Sequence, residues 1–292
     1  MNFFLALLSG VLISISIFLN GRLAQTHSIH LSTVIVHLAG LLLITIIVLI
    51  KRDNPFKNFQ KLYLYAGGAL GVFILMFNNF AFDRIGVSAI LALLLLGQSI
   101  AGLMVDQTGW MGMPKHPFKK EKIIGLMLLI SGIVVMLMGR LDILAVLASV
   151  LAGICIVGAR TFNARLAENT SVRSSTFFNY VTGVLFSIPV YLILTNNVGY
   201  ELTNFTFSPS IYIYFGGIVG MCFIMIGNVI VSRISALYLS LLIFIAQVFT
   251  GILIDTLMDG VFSFQILIGG ILVTSGLCIN LIIEKPKASA AG

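Results

Sequence analysis

Ten long apolar runs follow one another along this chain, separated by short polar connections. They cover 3–20, 31–50, 62–82, 86–105, 123–139, 143–159, 175–194, 211–231, 234–254 and 264–283. A helix crosses the hydrocarbon core of a bilayer with about 20 largely apolar residues, and each run is close to that length. Five of the six prolines fall outside the runs, and the sixth, Pro189, is expected to kink the seventh helix. The first run lacks a basic leader and no Ala-x-Ala follows it, so it reads as a retained span rather than a signal peptide. No connection is long enough for a soluble domain. The pattern predicts an all-α polytopic membrane protein of ten transmembrane helices.

Composition points the same way. Of 292 residues, 59% are hydrophobic and 9% are charged, against about a quarter charged in ordinary soluble domains. Twenty-seven charged side chains cannot solvate a water-soluble globule of this length. The net charge of +7 is explained by topology. Numbered from the N-terminal side, 14 Lys and Arg, among them Arg160, Arg165 and Arg173, fall to that side, and only Arg22, Arg84 and Arg140 fall to the other. Basic residues concentrate on the cytoplasmic side of membrane proteins, which predicts cytoplasmic N- and C-termini, with a short C-terminal tail from about residue 284. Nucleic acid is not needed to explain the basic balance. Cys155, Cys222 and Cys278 all lie inside runs and read as small buried apolar residues.

The chain also reads twice. Asn20-Gly21-Arg22-Leu23-Ala24 recurs as Asn163-Ala164-Arg165-Leu166-Ala167. Gly67-Gly68-x-x-Gly71 recurs as Gly216-Gly217-x-x-Gly220, and the same offset pairs Asn79 with Asn228, Gln98 with Gln247, Gly102 with Gly251 and Asp106 with Asp255. Each half, 1–140 and 141–292, holds five runs. Five is odd, so the second copy is expected to enter the membrane upside down: a 5+5 inverted-topology repeat, a recurring design of secondary transporters.

Polar groups inside spans are costly and face the bundle interior or a water-filled cavity. Gln98, Gly102 and Asp106 are spaced by four and share one helix face, as do Gln247, Gly251 and Asp255. Each glutamine stands about 12 Å inside its aspartate, near the bilayer midplane. Gln98 and Gln247 therefore either hydrogen-bond a solute or join neighbouring helices. Asn79, Asn228, His37, its counterpart Tyr180 and Ser14 are further candidates for lining a solute site. His37 titrates in a range that suits proton coupling, with a neutral interhelical bond as the alternative. Arg22 and Arg165, read as following the ends of the first and sixth helices, are candidate gates with Asp106 and Asp255. Their structural alternatives are carbonyl capping for the arginines and solvated helix ends for the aspartates. Asn20 and Asn163 read as helix-end caps.

Ten helices in two inverted fives resemble the drug/metabolite transporter superfamily. Leu19-Asn20-x-Arg22-Leu23 and Gly97-Gln98-Ser99 with Asp106 and the Gly109-to-Pro114 connection are similar to its YdcZ-type branch. That branch commonly occurs as single five-helix units, and this chain resembles two units fused. The second half departs from the pattern: Ala246 replaces Gly97, and no proline-rich loop follows Asp255. The resemblance implies a bacterial inner-membrane carrier of a small polar metabolite or drug-like solute, with a midplane cavity between spans 1, 3, 4 and spans 6, 8, 9. A lipid or lipid-linked precursor flippase is the alternative, and a non-transporting membrane enzyme or partner subunit a third. The first helix carries no acidic residue of the kind on which small proton-exchanging multidrug carriers depend. No phosphate-cradling loop or catalytic constellation is present, so neither enzymatic activity nor a cofactor is expected. Expected partners are the solute and membrane lipid; coupling to a proton or ion, and homodimerisation, stay open.

Overall fold

The computed structural model describes residues 2–108, 122–138, 141–230, 236–260 and 262–284, and the side chains of all but 105, 106, 122, 228, 236–241, 259, 281 and 284 of these. Every regular element among them is helical. In chain order these are α1 (Asn2–Thr26), α2 (Ile29–Ile50), α3 (Gly67–Ile85), α4 (Val87–Thr108), α5 (Lys122–Leu137), α6 (Ile143–Asn169), α7 (Val172–Leu194), α8 (Val198–Thr203), α9 (Gly216–Ile230), α10 (Ala236–Asp259) and α11 (Phe264–Glu284). Single 3-10 turns, Leu62–Ala66 and Ile211–Phe215, lead into α3 and α9. Among the described residues, six helices are long and apolar enough to cross a membrane: α1, α2, α4, α6, α7, and α3 with its 3-10 turn. Four shorter apolar helices, 123–137, 211–227, 242–258 and 264–280, accompany them. α7 runs on through Pro189.

Helix ends follow local capping chemistry. Ser28, Asp142 and Ser171 accept from the backbone N–H of Leu31, Ala145 and Ser174 at the starts of α2, α6 and α7. α1 and α6 run further than their apolar stretches predict. Asn20, Arg22, Asn163 and Arg165 therefore lie within the helices, and Arg160, assigned to a connection from sequence, stands inside α6. A polar residue in the last turns of a span costs little where neighbouring helices cover it, so hydropathy ends before the helix does.

Glycine contacts set the directions of packing. The His37 ring fills the space before Gly183, and the Tyr180 ring fills that before Gly40, so α2 and α7 run antiparallel. Asn20 and Ser16 of α1 meet Gly216 and Gly220 of α9, and Asn163 and Gly158 of α6 meet Gly67 and Leu70 of α3. These two pairs are also antiparallel. α5 lies against α11 through Gly125 with Gly276 and Gly132 with Gly269, an approach that only missing Cβ atoms permit. The largest apolar cluster joins the first half of α4 (Val87, Ile90, Leu91, Leu94) to Ile17, Phe82, Leu129, Phe244 and Ile252.

Candidate functional site

α4 and α10 carry the repeated Gln-x-x-x-Gly-x-x-x-Asp faces, and the structure treats them differently. On α10, Gln247 is 5% exposed, and its backbone carbonyl accepts from the Ser14 hydroxyl of α1 at 2.7 Å. One turn on, a Cβ on Gly251 would stand 3.1 Å from the Ser88 Cα, so α10 lies directly on the start of α4. A further turn on, Asp255 is 6% exposed and closes over that start. Its two carboxylate oxygens accept from the N–H groups of Val87 and Ser88, each at 2.8 Å, and one also accepts from the Ser88 hydroxyl. Gly86, with φ +77, makes the one-residue turn between α3 and α4 that aims these N–H groups at the carboxylate.

Asp255 thus sits at the C-terminal end of its own helix, where the dipole disfavours it, but at the N-terminus of α4, where the dipole and free N–H groups favour it. From sequence it reads as a solvated end or a gate. The missing information was which neighbouring helix begins beside it.

The α4 face is not covered in this way by any described residue. Among the described residues, Gln98 is half-buried and makes no side-chain hydrogen bond, and none comes within 4 Å of a Cβ on Gly102. The side chain of Asp106 lies outside the described residues, as does that of Asn228.

The remaining predicted residues fall into packed seams. His37 is 3% exposed, with Nδ1 2.8 Å from the Thr33 carbonyl and its ring edge on Tyr180. The Tyr180 hydroxyl donates to the Gly217 carbonyl at 3.3 Å. Ser14 also donates back to the Gly10 carbonyl at 3.2 Å. The Asn79 amide donates to the Ser32 hydroxyl at 3.2 Å, and its buried carbonyl oxygen has no partner among the described residues. Asn20 and Asn78 share that orphaned state. Asn20, expected as an end cap, instead donates to Ser16 inside the bundle at 3.2 Å, while Asn163 donates to Asn179 at 2.9 Å. Asn78 was not singled out from sequence, because it has no polar repeat counterpart: Gly227 stands at its place.

Arg22 and Arg165 lie at opposite ends of the bundle. Arg22 donates to Gln25 at 2.9 Å, and Gln25 donates on to Asp83 at the end of α3. Arg22 and Gln25 line a polar hollow with Ser208 and Tyr212 beside the entry to α9. Arg165 pairs with Glu168 at 3.1 Å, next to Leu166, which packs on Leu64 and Tyr65 at the entry to α3. Two further ion pairs tie helix ends: Arg84 to Asp142 at 3.2 Å, and Arg173 to Asp53.

A family model described as "Putative inner membrane exporter, YdcZ" matches the chain twice, at residues 1–135 and 144–279. The chain belongs to the YdcZ family. It carries two copies of the unit, and its family role is that of a multi-pass membrane transporter. No curated protein matches the chain. A solved protein whose title reads only "Crystal structure of protein" shares the fold, with TM-score 0.63 at 16% identity over 96% of each chain.

Proposed function

We propose that this YdcZ-family protein carries a small polar solute across the bacterial inner membrane by alternating access, as ten spans in two inverted repeats, 1–140 and 141–292. The four shorter apolar helices complete the ten. Support for inversion comes from exchanged packing: α1 lies antiparallel to α9 just as α6 lies antiparallel to α3, and His37 against Gly183 repeats Tyr180 against Gly40. In both pairs the first-half and second-half members have traded places, as a two-fold axis in the membrane plane requires.

The observation that carries the reading is the contrast between Gly102 and Gly251. The solute enters beside Gln98 and Gly102, while Gln247 and Gly251 are sealed beneath Asp255. With both termini in the cytoplasm, the sealed end is periplasmic and the open end cytoplasmic, so this is an inward-open arrangement. In the opposite state Asp106 takes the role of Asp255 and covers the start of α10. Gln98 and Gln247 hold the solute in turn.

Cysteine labelling in oriented membrane vesicles tests this. In a protein lacking its three native cysteines, Gly102→Cys reacts from the cytoplasmic face and Gly251→Cys does not. Equal labelling at both positions overturns the reading. In proteoliposomes, Gln98→Ala and Gln247→Ala each cut uptake of a radiolabelled transported metabolite about tenfold or more while the protein still purifies as a single species. Movement of a labelled lipid without any solute identifies a flippase instead.

A further inference from the structure

Arg160 is a cation that the helix count from sequence left in a connection and that has no hydrogen bond or ion pair among the described residues. It stands 17 residues into α6, about 25 Å along the helix axis and about 14 Å short of its end. It follows Gly153 by seven residues and so shares its face, the one that meets α4 at Leu94 and Gly97. The lipid-facing side of α6 is elsewhere: Leu144, Leu147 and Leu151 are exposed on the opposite face. Yet the Arg160 side chain is exposed, and among the described residues it has no hydrogen bond or ion pair. A long cation that is exposed and stands on the face of a span turned to a neighbouring helix is a functional-site candidate. Gln98 follows Gly97 by one residue and so stands beside that contact, and Gly102, with none of the described residues within 4 Å of a Cβ, stands one turn further along α4.

Resting on the cavity reading above, we propose that Arg160 forms an anion-binding site with Gln98, and that the transported solute carries a carboxylate or phosphate group. A guanidinium is permanently charged and presents a planar fork of N–H donors that fits two oxygens of such a group. The Gln98 amide supplies a neutral donor and acceptor for the rest of the solute. The counterpart of Arg160 in the first half is Ile17, 7% exposed in the apolar core. The charge is therefore present at one end of the pathway only. An anion is held when the cytoplasmic end is open and meets no fixed cation at the corresponding position of the other end.

The test compares two thiol reagents of similar size, anionic ethanesulfonate and cationic trimethylammonium-ethyl methanethiosulfonate, at Gly102→Cys in the otherwise full chain lacking native cysteines. With Arg160 present, the anionic-to-cationic rate ratio is about tenfold or more above that of Arg160→Gln, and Arg160→Lys retains most of the preference. A ratio that is the same within twofold in Arg160, Lys and Gln proteins overturns the proposal. The Lys variant keeps the comparison readable if Gln impairs folding. If neither reagent reaches Gly102→Cys, the cavity reading itself falls; if both reach it without charge preference, only the anion site does. Repeating the reaction in nanodiscs of phosphatidylcholine and of phosphatidylglycerol separates the two sources of anion. Unchanged rates support a soluble solute, whereas selective blocking by phosphatidylglycerol assigns Arg160 to a lipid headgroup and overturns the solute.

Discussion

The two ends of this bundle are built from the same repeated polar pattern and differ in what surrounds it. At the Asp255 end, a carboxylate caps a neighbouring helix, a glycine presses on backbone, and Ile17 lies in an apolar core. At the Gln98 end, none of the described residues lies against the corresponding glycine, and the position equivalent to Ile17 is an exposed arginine. A repeated motif is therefore a seal or a lining according to whether a helix lies against it.

The largest way to break the contrast is Asp255→Ala. It strands the N–H groups of Val87 and Ser88 in a buried setting and removes a charged acceptor, at an expected cost of about 3 kcal/mol. Asp255→Asn, which keeps one acceptor oxygen, costs less. Thermal unfolding of the purified protein reads both, and equal melting temperatures for the wild type and Asp255→Ala refute the cap.

Valine at the paired glycines gives the next effect. Gly251→Val must push the start of α4 away and costs about 2 kcal/mol, whereas Gly102→Val enters empty space and leaves the melting temperature within about a degree. A similar loss at both sites erases the distinction between the two ends.

The smallest effect concerns pH at the connection between α1 and α2. His27 stacks on Phe205 and lies 2.9 Å from the Tyr214 hydroxyl. Burial pushes its pKa below 6.5, opposed by the Glu201 carboxylate. The unfolded chain therefore takes up the proton first as pH falls below 6.5, and the fold loses stability in that window. Melting followed between pH 7.5 and 5 shows a shallower decline in His27→Gln than in the wild type. Equal slopes remove His27 as the cause.

Much of the fold is legible in the chain itself, because the bilayer leaves few options: apolar length dictates helices, and repeated polar residues such as Gln98/Gln247 and Asp106/Asp255 survive as landmarks in an apolar background. The internal pairing of the two halves follows from those landmarks. Helix ends were less legible. Hydropathy stops at Asn20 and Ala159, but α1 and α6 continue because neighbouring helices cover their polar turns. That is why Arg160 was read as a loop residue, and why Asn20 is a packed interior group rather than a cap.

By itself, then, the sequence determined the class of protein and its duplication, since these depend on the cost of placing each side chain in hydrocarbon and on landmarks repeated along the chain. Only the tertiary structure decided what each repeated polar residue packs against. Gln98 and Gln247 are chemically identical, as are Gly102 and Gly251. Their difference lies in the helix packed against each, and packing between distant segments leaves no mark on the local pattern of either.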